Sequence, residues 1–470
     1  MCSGSCSCSA SSVWHFFGVF AGSRFSYHIH KQAGDVLWST VCSSPAPLLT
    51  ALPVVSLART RLLLDLCLPL CVPGARSKAA GERAIRVNTE GYACPNQQCT
   101  YFGITDAHIH ALVGDGKHGQ AERIQTFRCQ ACRTTFSARH DTPLYHLKTP
   151  SQQVAVVLTA LAEGLDASAA ERVFGYRQAT ITTWLSRAGE HAQMLHERTF
   201  RTLWLPHLQL DELRTRLRSA NQILWLWLAI DPLTKILPVL ELGPRTQHMA
   251  HRLIHSLRQM LASDCLPLFT SDGLNVYFYA LTAHFGQWLV LSHRGRNVHQ
   301  WQVAAGLIYG QVKKRYRRRK LVQVTHEMRL GTEDALKAAL QSLGLSGRLN
   351  TAYIERVNLT IRHGIAALAR RTWATAQQSP HLLAQLEWWR ADYHFIRPHE
   401  SLRVALVQPR ERGGNRLAQR YRQRTPAMAA RRTNRRWTAR EVLSCPLPSV
   451  SGGSATGARC GWSVMSRGRR

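Results

Sequence analysis

The most continuous strand-like pattern in the chain lies in residues 204–243. One apolar run ends on Asp211, a second run with two tryptophans covers 223–230, and a third covers 235–242. A basic polar segment and an Asp-Pro-Leu-Thr turn separate the runs, so the pattern predicts a β-meander of three strands. Asp211 either caps a turn at the end of its strand or serves a site, because burying an unpaired carboxylate is costly.

Two further carboxylates follow elements of regular pattern. The buried run at 265–270 predicts a strand that again ends on a carboxylate, Asp272. Residues 350–371 read as a helix, on which Glu355, Asn358 and Arg362 share one face by the i, i+3, i+7 rule. Other helices are predicted at 245–261, 332–343 and 381–392.

A helical period begins near residue 149. It predicts a helix from 151 to 164, a short helix at 167–174 with Asp166 as its N-cap and Gly175 at its end, and a third helix at about 178–188. Two short helices joined at Gly175 are typical of a helix-turn-helix, whose second helix enters the major groove, although three helices also pack in this way without binding DNA. The polar face left for DNA comprises Arg177, Gln178, Thr180, Thr182, Thr183 and Arg187.

Two close cysteine pairs precede these helices. Cys94 and Cys99 are followed, after 29 intervening residues, by Cys129 and Cys132. Four thiolates on two turns suit a tetrahedral structural Zn²⁺ site, a zinc ribbon, and the alternative is four buried free cysteines. Histidines between the pairs can replace a thiolate: His108, His110 and His118.

Charge narrows the range of partners. Lysine and arginine number 60 against 28 acids, which gives +32. So large an excess indicates a polyanionic partner, most simply nucleic acid. The densest block is either a solvated loop or a phosphate-binding segment; its charged members are Lys313, Lys314, Arg315, Arg317, Arg318, Arg319 and Lys320.

Cysteine usage and hydropathy indicate the compartment. Thirteen scattered cysteines suit a reducing environment rather than a disulfide framework. No run of eighteen apolar residues occurs, so we predict no transmembrane helix and no membrane partner. A cytoplasmic location, beside nucleic acid, is the expectation.

The three acids suggest a chemistry. Phosphodiester reactions with two Mg²⁺ ions about 4 Å apart need carboxylates from separate elements at one sheet edge, because Mg²⁺ prefers hard oxygen ligands. Asp211, Asp272 and Glu355 are the candidate catalytic ligands, and Mn²⁺ can replace Mg²⁺. No protein nucleophile is required.

Several motifs together resemble one family. The family that they resemble is the DDE transposases of bacterial insertion sequences, in the group like insertion element one. The resemblance is carried by LDEL, WLWLAIDPLTKIL, TSDG and NTAYIERVNLTIR, and three further motifs fit the same group: YACPNQQC, FRCQAC and YHFIRPHESL. The resemblance implies a ribonuclease-H-like α/β domain with Asp211, Asp272 and Glu355 at the DDE positions. It also implies that Asn358 and Arg362 support the catalytic helix or contact DNA, and that a homo-oligomer joins element ends to target DNA in a bacterial, nucleoid-associated setting.

The expected fold class is α/β, a mixed sheet flanked by helices and preceded by a zinc ribbon and a helix-turn-helix. The domain boundaries follow from these patterns. We expect a disordered or spurious extension at 1–85, the zinc ribbon at 86–148, the helix-turn-helix at 149–200, the catalytic domain at 201–402 and a basic tail at 403–470, disordered from 449. Two alternatives remain open: a nuclease that cleaves without strand transfer, and a zinc-ribbon and helix-turn-helix DNA-binding protein whose catalytic domain has decayed.

Overall fold

The computed structural model describes residues 15–20, 23–32, 35–41, 87–218, 223–293, 296–370, 372, 374, 376, 378–410 and 418–448. The chain divides into two units, Met1–Ala84 and Ile85–Arg470. In the first unit, where the sequence pattern predicts no regular element, an antiparallel sheet has the order β1-β2-β3. Its strands are β1 (His15–Phe20), β2 (Ser23–Gln32) and β3 (Asp35–Val41).

The second unit begins with a small antiparallel sheet of order β4-β5-β6. Its strands are β4 (Leu112–His118), β5 (Ile124–Cys129) and β6 (Thr135–Ser137). Phe127, Leu112 and Phe136 are buried beside the four cysteines. So small an apolar core needs a further source of stability, and a bound metal commonly supplies it.

Three helices follow: α1 (Ser151–Ala162), α2 (Ala167–Phe174) and α3 (Gln178–Thr199). Asp166 accepts hydrogen bonds from the backbone N–H groups of Ser168 and Ala169, both at 2.8 Å, which confirms the predicted N-cap. Gly175, at φ +74°, ends α2 in the left-handed conformation, as predicted. α3 continues past the predicted end near 188, because its second half carries buried residues that pack against a later helix.

Eight strands follow in chain order: β7 (His207–Arg216), β8 (Ile223–Ile230), β9 (Leu240–Gly243), β10 (Leu268–Asp272), β11 (Gly286–His293), β12 (Arg296–Val303), β13 (Tyr309–Arg317) and β14 (Lys320–Leu330). Six of them form one mixed sheet of order β14-β13-β10-β7-β8-β9. β10 is parallel to both its neighbours, and the other pairings are antiparallel. The α/β class is therefore confirmed. β11 and β12 form a separate hairpin that the sequence pattern did not predict.

The predicted meander is present as β7, β8 and β9, with two differences. β9 starts at Leu240 rather than 235, since Pro238 has no N–H to donate to a ladder. β7 does not end at Asp211 but continues to Arg216, because every residue from 209 to 216 pairs with β8. Asp211 is thus inside a strand, which removes the turn-capping explanation for its charge.

Helices cover both faces of the sheet: α4 (Gln247–Met260), α5 (Val276–His284), α6 (Glu333–Ser342), α7 (Ala352–Gly364) and α8 (Ser379–Ala391). One core joins Leu208 and Trp227 to α4, α5 and the three earlier helices. A second core joins Leu228 on the other face to Ile354 and Val357 of α7 and to α8.

Two glycines bring helices unusually close. A Cβ on Gly189 of α3 would lie 2.4 Å from the carbonyl oxygen of Ala384 in α8. A Cβ on Gly364 would lie 2.2 Å from Nε1 of Trp389, also in α8. α3 and α7 therefore both pack closely on α8. α7 ends at Gly364 rather than near 371, because the next residue is extended and a 3-10 turn, Ala366–Leu368, follows.

In the segment expected as a basic tail, the described residues 403–410 and 418–448 are folded. It contains a hairpin of β15 (His399–Arg410) and β16 (Gln419–Arg424), then α9 (Pro426–Ala429) and α10 (Ala439–Ser444). Trp437 and Val442 are buried in the first core, since this basic segment also carries apolar residues. Residues 449–470, for which we predict disorder, lie outside the described part. In the described residues no helix combines the length and apolarity needed to cross a bilayer.

Candidate active site and metal-binding groups

Four cysteine side chains meet beside the sheet of β4, β5 and β6. The sulfur atoms of Cys94, Cys99, Cys129 and Cys132 all lie within 4.8 Å of one another. Sγ of Cys94 is 3.5 Å from Sγ of Cys132, and Sγ of Cys99 is 3.8 Å from Sγ of Cys129. A disulfide is much shorter, about 2.05 Å. Zinc–thiolate bonds of about 2.3 Å in a tetrahedron give sulfur separations of about 3.8 Å. The grouping that the sequence predicts is confirmed, and its donors fit a tetrahedral metal ion.

The histidines between the cysteine pairs are not part of this group. Nε2 of His110 lies 3.1 Å from the carbonyl oxygen of Thr89. Nδ1 of His118 lies 2.9 Å from the hydroxyl of Thr126. His108 does not belong to the four-sulfur group either. No histidine is therefore needed to replace a thiolate here.

The surroundings of the sulfurs differ. The hydroxyl of Thr134, 3.2 Å from Sγ of Cys132, lowers the pKa of that thiol to about 6. Burial raises the pKa of Cys94. The backbone N–H of Tyr101 donates to Sγ of Cys99 at 3.5 Å. A cation among the four would favour the thiolate form of all of them.

Asp211 and Asp272 lie side by side on neighbouring parallel strands. Leu210 of β7 pairs with Ser271 of β10, so the next residue of each strand is an aspartate. Carboxylate oxygens of Asp211, Asp272 and Glu212 all lie within 4.8 Å of one another. In the described part of the chain no lysine or arginine forms an ion pair with either aspartate.

Asp211 is held by two donors. Nδ2 of Asn358, on α7, donates to its Oδ2 at 2.7 Å, and the backbone N–H of Glu212 donates to its Oδ1 at 2.8 Å. Burial, followed by the charges of Asp272 and Glu212, raises the pKa of Asp211 to about 7. Two neighbouring aspartates without a cationic partner among the described residues are what a divalent cation relieves, and carboxylate oxygens are the ligands that Mg²⁺ prefers. The residues therefore fit such an ion.

Glu212 is the member of this group that the sequence reasoning missed. Its side chain is only 1% exposed, and Arg245 donates to its Oε2 from Nη2 at 2.9 Å and from Nε at 3.1 Å. Its Oε1 is buried, and the hydroxyl of Tyr277 lies near this carboxylate. Burial, and then the charge of Asp272, raises the pKa of Glu212. The available signal was a charged residue between the apolar Leu210 and Leu213 of one strand.

Glu355 lies close to this group but is not a member of it. It is on α7, one turn before Asn358, and its charge contributes to the raised pKa of Asp211. Its carboxylate forms an ion pair with Lys314, and the hydroxyl of Thr351 donates to the same oxygen at 2.6 Å. Burial alone would raise the pKa of Glu355, but these two partners outweigh it and lower the pKa. The packing side of α7 is formed by Ile354, Val357 and Ile361, which are buried.

Arg362 has a structural contact. Its Nη1 donates to the carbonyl oxygen of Leu368 at 3.3 Å, which links α7 to the turn that follows it. Asn358 and Arg362 therefore both form hydrogen bonds within the protein. Asn358 bonds to Asp211 of the acidic group, and Arg362 bonds to the turn that follows α7.

The basic block of residues 313–320 is a β-hairpin extension rather than a loop. β10 pairs with β13 only as far as Val312, and beyond this point β13 and β14 pair with each other. The turn residues Arg318 and Arg319 have φ +48° and +65°. Lys313 and Lys314 pair with Glu327 and Glu355. The remaining cations of the block are exposed: Arg315, Arg317, Arg318, Arg319 and Lys320.

The predicted groove-reading residues divide into two groups on α3. Arg177, Gln178, Thr180 and Thr183 are exposed at the start of the helix. Thr182 is half-buried, and its hydroxyl donates to the carbonyl oxygen of Gln178 at 2.9 Å. Arg187 is also half-buried and donates to the carbonyl oxygen of Tyr145 at 2.6 Å. The first turn of α3 is therefore the part that remains available to a ligand.

The fold and these sites define an α/β protein with a four-thiolate group and a buried carboxylate group on neighbouring strands. Comparison of the chain with protein-family models finds no match, and comparison with curated proteins finds none either.

Proposed function

We propose that this protein is a DDE transposase on a ribonuclease-H-like domain, resembling that of insertion element one. It binds the ends of an insertion sequence in the bacterial cytoplasm, hydrolyses a phosphodiester to free a 3′-OH, and joins that 3′ oxygen to target DNA. In each step one P–O bond forms as another breaks. The observation that carries the proposal is the pair Asp211 and Asp272, held without a cationic partner among the described residues on adjacent parallel strands.

The sheet order supports the same proposal. An antiparallel meander joined through its first strand to two parallel strands, β10 and β13, is the arrangement expected of a ribonuclease-H-like domain. Helix α7 packs on the meander and brings Asn358 to Asp211. The three acids of the DDE positions thus come from two strands and one helix.

Two bound Mg²⁺ ions would supply activation of the attacking oxygen and stabilisation of the leaving 3′ oxygen. Asp211 and Asp272 would hold them, with Glu355 as the third carboxylate. Asn358 fixes the orientation of Asp211 through its 2.7 Å hydrogen bond. Arg245, which precedes α4 in the chain, forms an ion pair with Glu212, so that the buried charge of this carboxylate is partly compensated.

DNA binding is assigned to three basic surfaces, each of which matches a polyanion. The first turn of α3, with Arg177 and Gln178 exposed, would contact base edges. The exposed tip of the 313–320 hairpin would contact phosphates of any sequence, and so would the basic hairpin of β15 and β16. The four-cysteine group would hold a structural Zn²⁺ that stabilises the ribbon, and the synaptic complex would contain more than one copy of the chain.

The test is a cleavage and joining assay. Purified full-length protein is incubated with Mg²⁺, a target plasmid and labelled duplexes taken from the DNA that flanks its own gene. Cleavage followed by joining of the label to plasmid supports the proposal. Glu355→Gln should keep duplex binding within a few-fold and lose both reactions, because the amide keeps the shape of the side chain and removes the charge. Glu400→Gln is the control, since Glu400 is exposed and forms its ion pair with Arg403.

Other outcomes separate the alternatives. Cleavage without joining would identify a nuclease. Sequence-selective binding without cleavage, at any concentration of Mg²⁺ or Mn²⁺, would identify a DNA-binding protein with an inactive sheet domain. Full activity of Glu355→Gln would remove Glu355 from the proposed ligand set.

A further inference from the structure

Lys314 lies at the sheet edge where the carboxylates gather. β13 pairs with β10 in the register Val312 to Asp272, and Lys314 follows two residues later. Because side chains alternate along a strand, Val312 and Lys314 are on the same face. Val312 packs there with Leu336 and Leu349. Lys313 is on the opposite face of the sheet.

In this position the ammonium group of Lys314 forms an ion pair with the carboxylate of Glu355. The same oxygen, Oε1, also accepts the hydroxyl of Thr351 at 2.6 Å. One turn further along α7, Asn358 is already bonded to Asp211. The helix is therefore docked against the acidic group, while the carboxylate that would complete the group is held by a lysine.

We infer that Lys314 exchanges partners, from Glu355 in the free protein to a DNA phosphate in the complex, and that this exchange releases Glu355 to join Asp211 and Asp272. The inference rests on the proposed function and adds a regulation to it: DNA completes the metal-binding carboxylates. A phosphate is the natural competitor, because Lys314 stands at the base of the exposed basic hairpin that would follow the DNA backbone.

The solvent exposure of the pair permits such an exchange. The side chain of Lys314 is 29% exposed and that of Glu355 is 48% exposed. Ion pairs this open contribute little to stability and are readily displaced. A fully buried pair could not exchange in this way, since breaking it would leave an uncompensated charge.

The experiment is a Mn²⁺ titration of the zinc-loaded full-length chain, followed by the electron paramagnetic resonance signal of free Mn²⁺. Lys314→Gln should bind Mn²⁺ about two- to fivefold more tightly than the parent when DNA is absent, as expected for removal of an exposed ion pair. With a saturating random-sequence duplex, and after subtraction of Mn²⁺ bound by the duplex alone, the difference between the two proteins should vanish.

Two controls separate the exchange from general charge effects. Lys313→Gln removes a cation of equal charge one residue away, but that lysine pairs with Glu327 and should leave Mn²⁺ affinity unchanged. In a Glu355→Gln background, Lys314→Gln should have no effect, because the carboxylate that it would release is gone. The side chains of Lys313 and Lys314 are both solvent-accessible, so we expect both glutamine variants to fold.

Equal tightening by Lys313→Gln, or tightening that persists in the Glu355→Gln background, would overturn the inference and reduce Lys314 to a repelling charge. A parent affinity that duplex leaves unchanged would overturn it as well. Absence of any Mn²⁺ binding to the parent, with and without duplex, would instead overturn the proposed catalytic site itself. The two failures are therefore distinguishable.

Discussion

Replacing Asp211 by asparagine should stabilise the metal-free protein at neutral pH. The pKa of this carboxyl is raised from 3.8 to about 7, first by burial and then by the charges of Asp272 and Glu212. The folded state therefore disfavours the ionised form. Its charge costs nothing below the unfolded pKa, and the cost grows as pH rises from about 4 to about 7, above which it is constant. Asparagine removes the charge and keeps an oxygen and an amide of the same shape.

The shift sets the size of the effect. Three pKa units at about 1.36 kcal/mol each give about 4 kcal/mol as an upper figure above pH 7. Solvent reaches part of the side chain, and the amide loses one of the two acceptor oxygens that Asp211 uses for Asn358 and the backbone N–H of Glu212. We therefore expect a net gain of about 1–3 kcal/mol at pH 8, which corresponds to a Tm increase of about 1–4 °C for a folded unit of this size.

The assay is thermal unfolding in buffer without Mg²⁺, at pH 8 and again near pH 5, because stronger acid would protonate the zinc-binding thiolates. The gain should be clearly larger at pH 8 than near pH 5, where Asp211 of the folded protein is already mostly protonated. Added Mg²⁺ should raise the Tm of the parent and leave that of Asp211→Asn unchanged, because only the parent retains the carboxylate that binds the ion. Asp264→Asn is the matched control: Asp264 is exposed, and its replacement should leave Tm unaltered at both pH values.

A Tm of Asp211→Asn below that of the parent at pH 8 would refute the reasoning. It would mean that the carboxylate has a stabilising partner in the folded state. A gain of equal size at both pH values would refute it too, because the effect would then not come from ionisation.

Three further predictions test the packing, the thiolate group and the DNA-reading helix. Gly364→Ala should destabilise the protein by about 1–3 kcal/mol, read as a lower Tm, because the new Cβ would lie 2.2 Å from Nε1 of Trp389. Cys129→Ser should lose the one zinc per chain expected in the parent by metal analysis, and the ribbon should unfold with it. Arg177→Ala should reduce discrimination between the element end and random duplex in a binding titration, with a base contact worth about 1–3 kcal/mol.

Each of these has a control in the same chain. Gly306→Ala should be tolerated, since its Cβ would meet only Leu266 at 3.4 Å. Cys265→Ala should keep the zinc, because Cys265 lies outside the four-sulfur group. Arg187→Ala should lower Tm rather than change discrimination, because Arg187 binds the carbonyl of Tyr145. Tolerance of Gly364→Ala, zinc retention by Cys129→Ser, or changed discrimination in Arg187→Ala alone would contradict the corresponding assignment.

The elements with a strong local signal were predictable. The cap at Asp166 and the stop at Gly175 depend on residues next to each other in sequence, and the structure has both. The four cysteines group because two short turns bring each pair together. The hairpin of β11 and β12 was missed, since its exposed Trp288 and Val290 do not follow an inside-outside alternation.

The contacts between distant side chains were not predictable. Whether Glu355 reaches Asp211 or Lys314 depends on side-chain positions across α7 and β13, and spacing within the helix does not encode them. Likewise, the polar face of α3 predicts which residues face away from the core. It does not predict that the linker carbonyl of Tyr145 engages Arg187.

The placement of Asp211 and Asp272 depends on a register of one residue. β10 pairs with β7 so that Ser271 meets Leu210, and the aspartates come next on both strands. A slip by one residue would turn every side chain of β10 to the other face and separate the two carboxylates. The register that forms instead places Asp211, Asp272 and Glu212 within 4.8 Å, although like charges at this distance oppose folding. Arg245 compensates the negative charge of Glu212 and forms no ion pair with Asp211 or Asp272. The remaining unfavourable charge is concentrated where two parallel strands meet, and a divalent cation bound there would regain the free energy that the register costs.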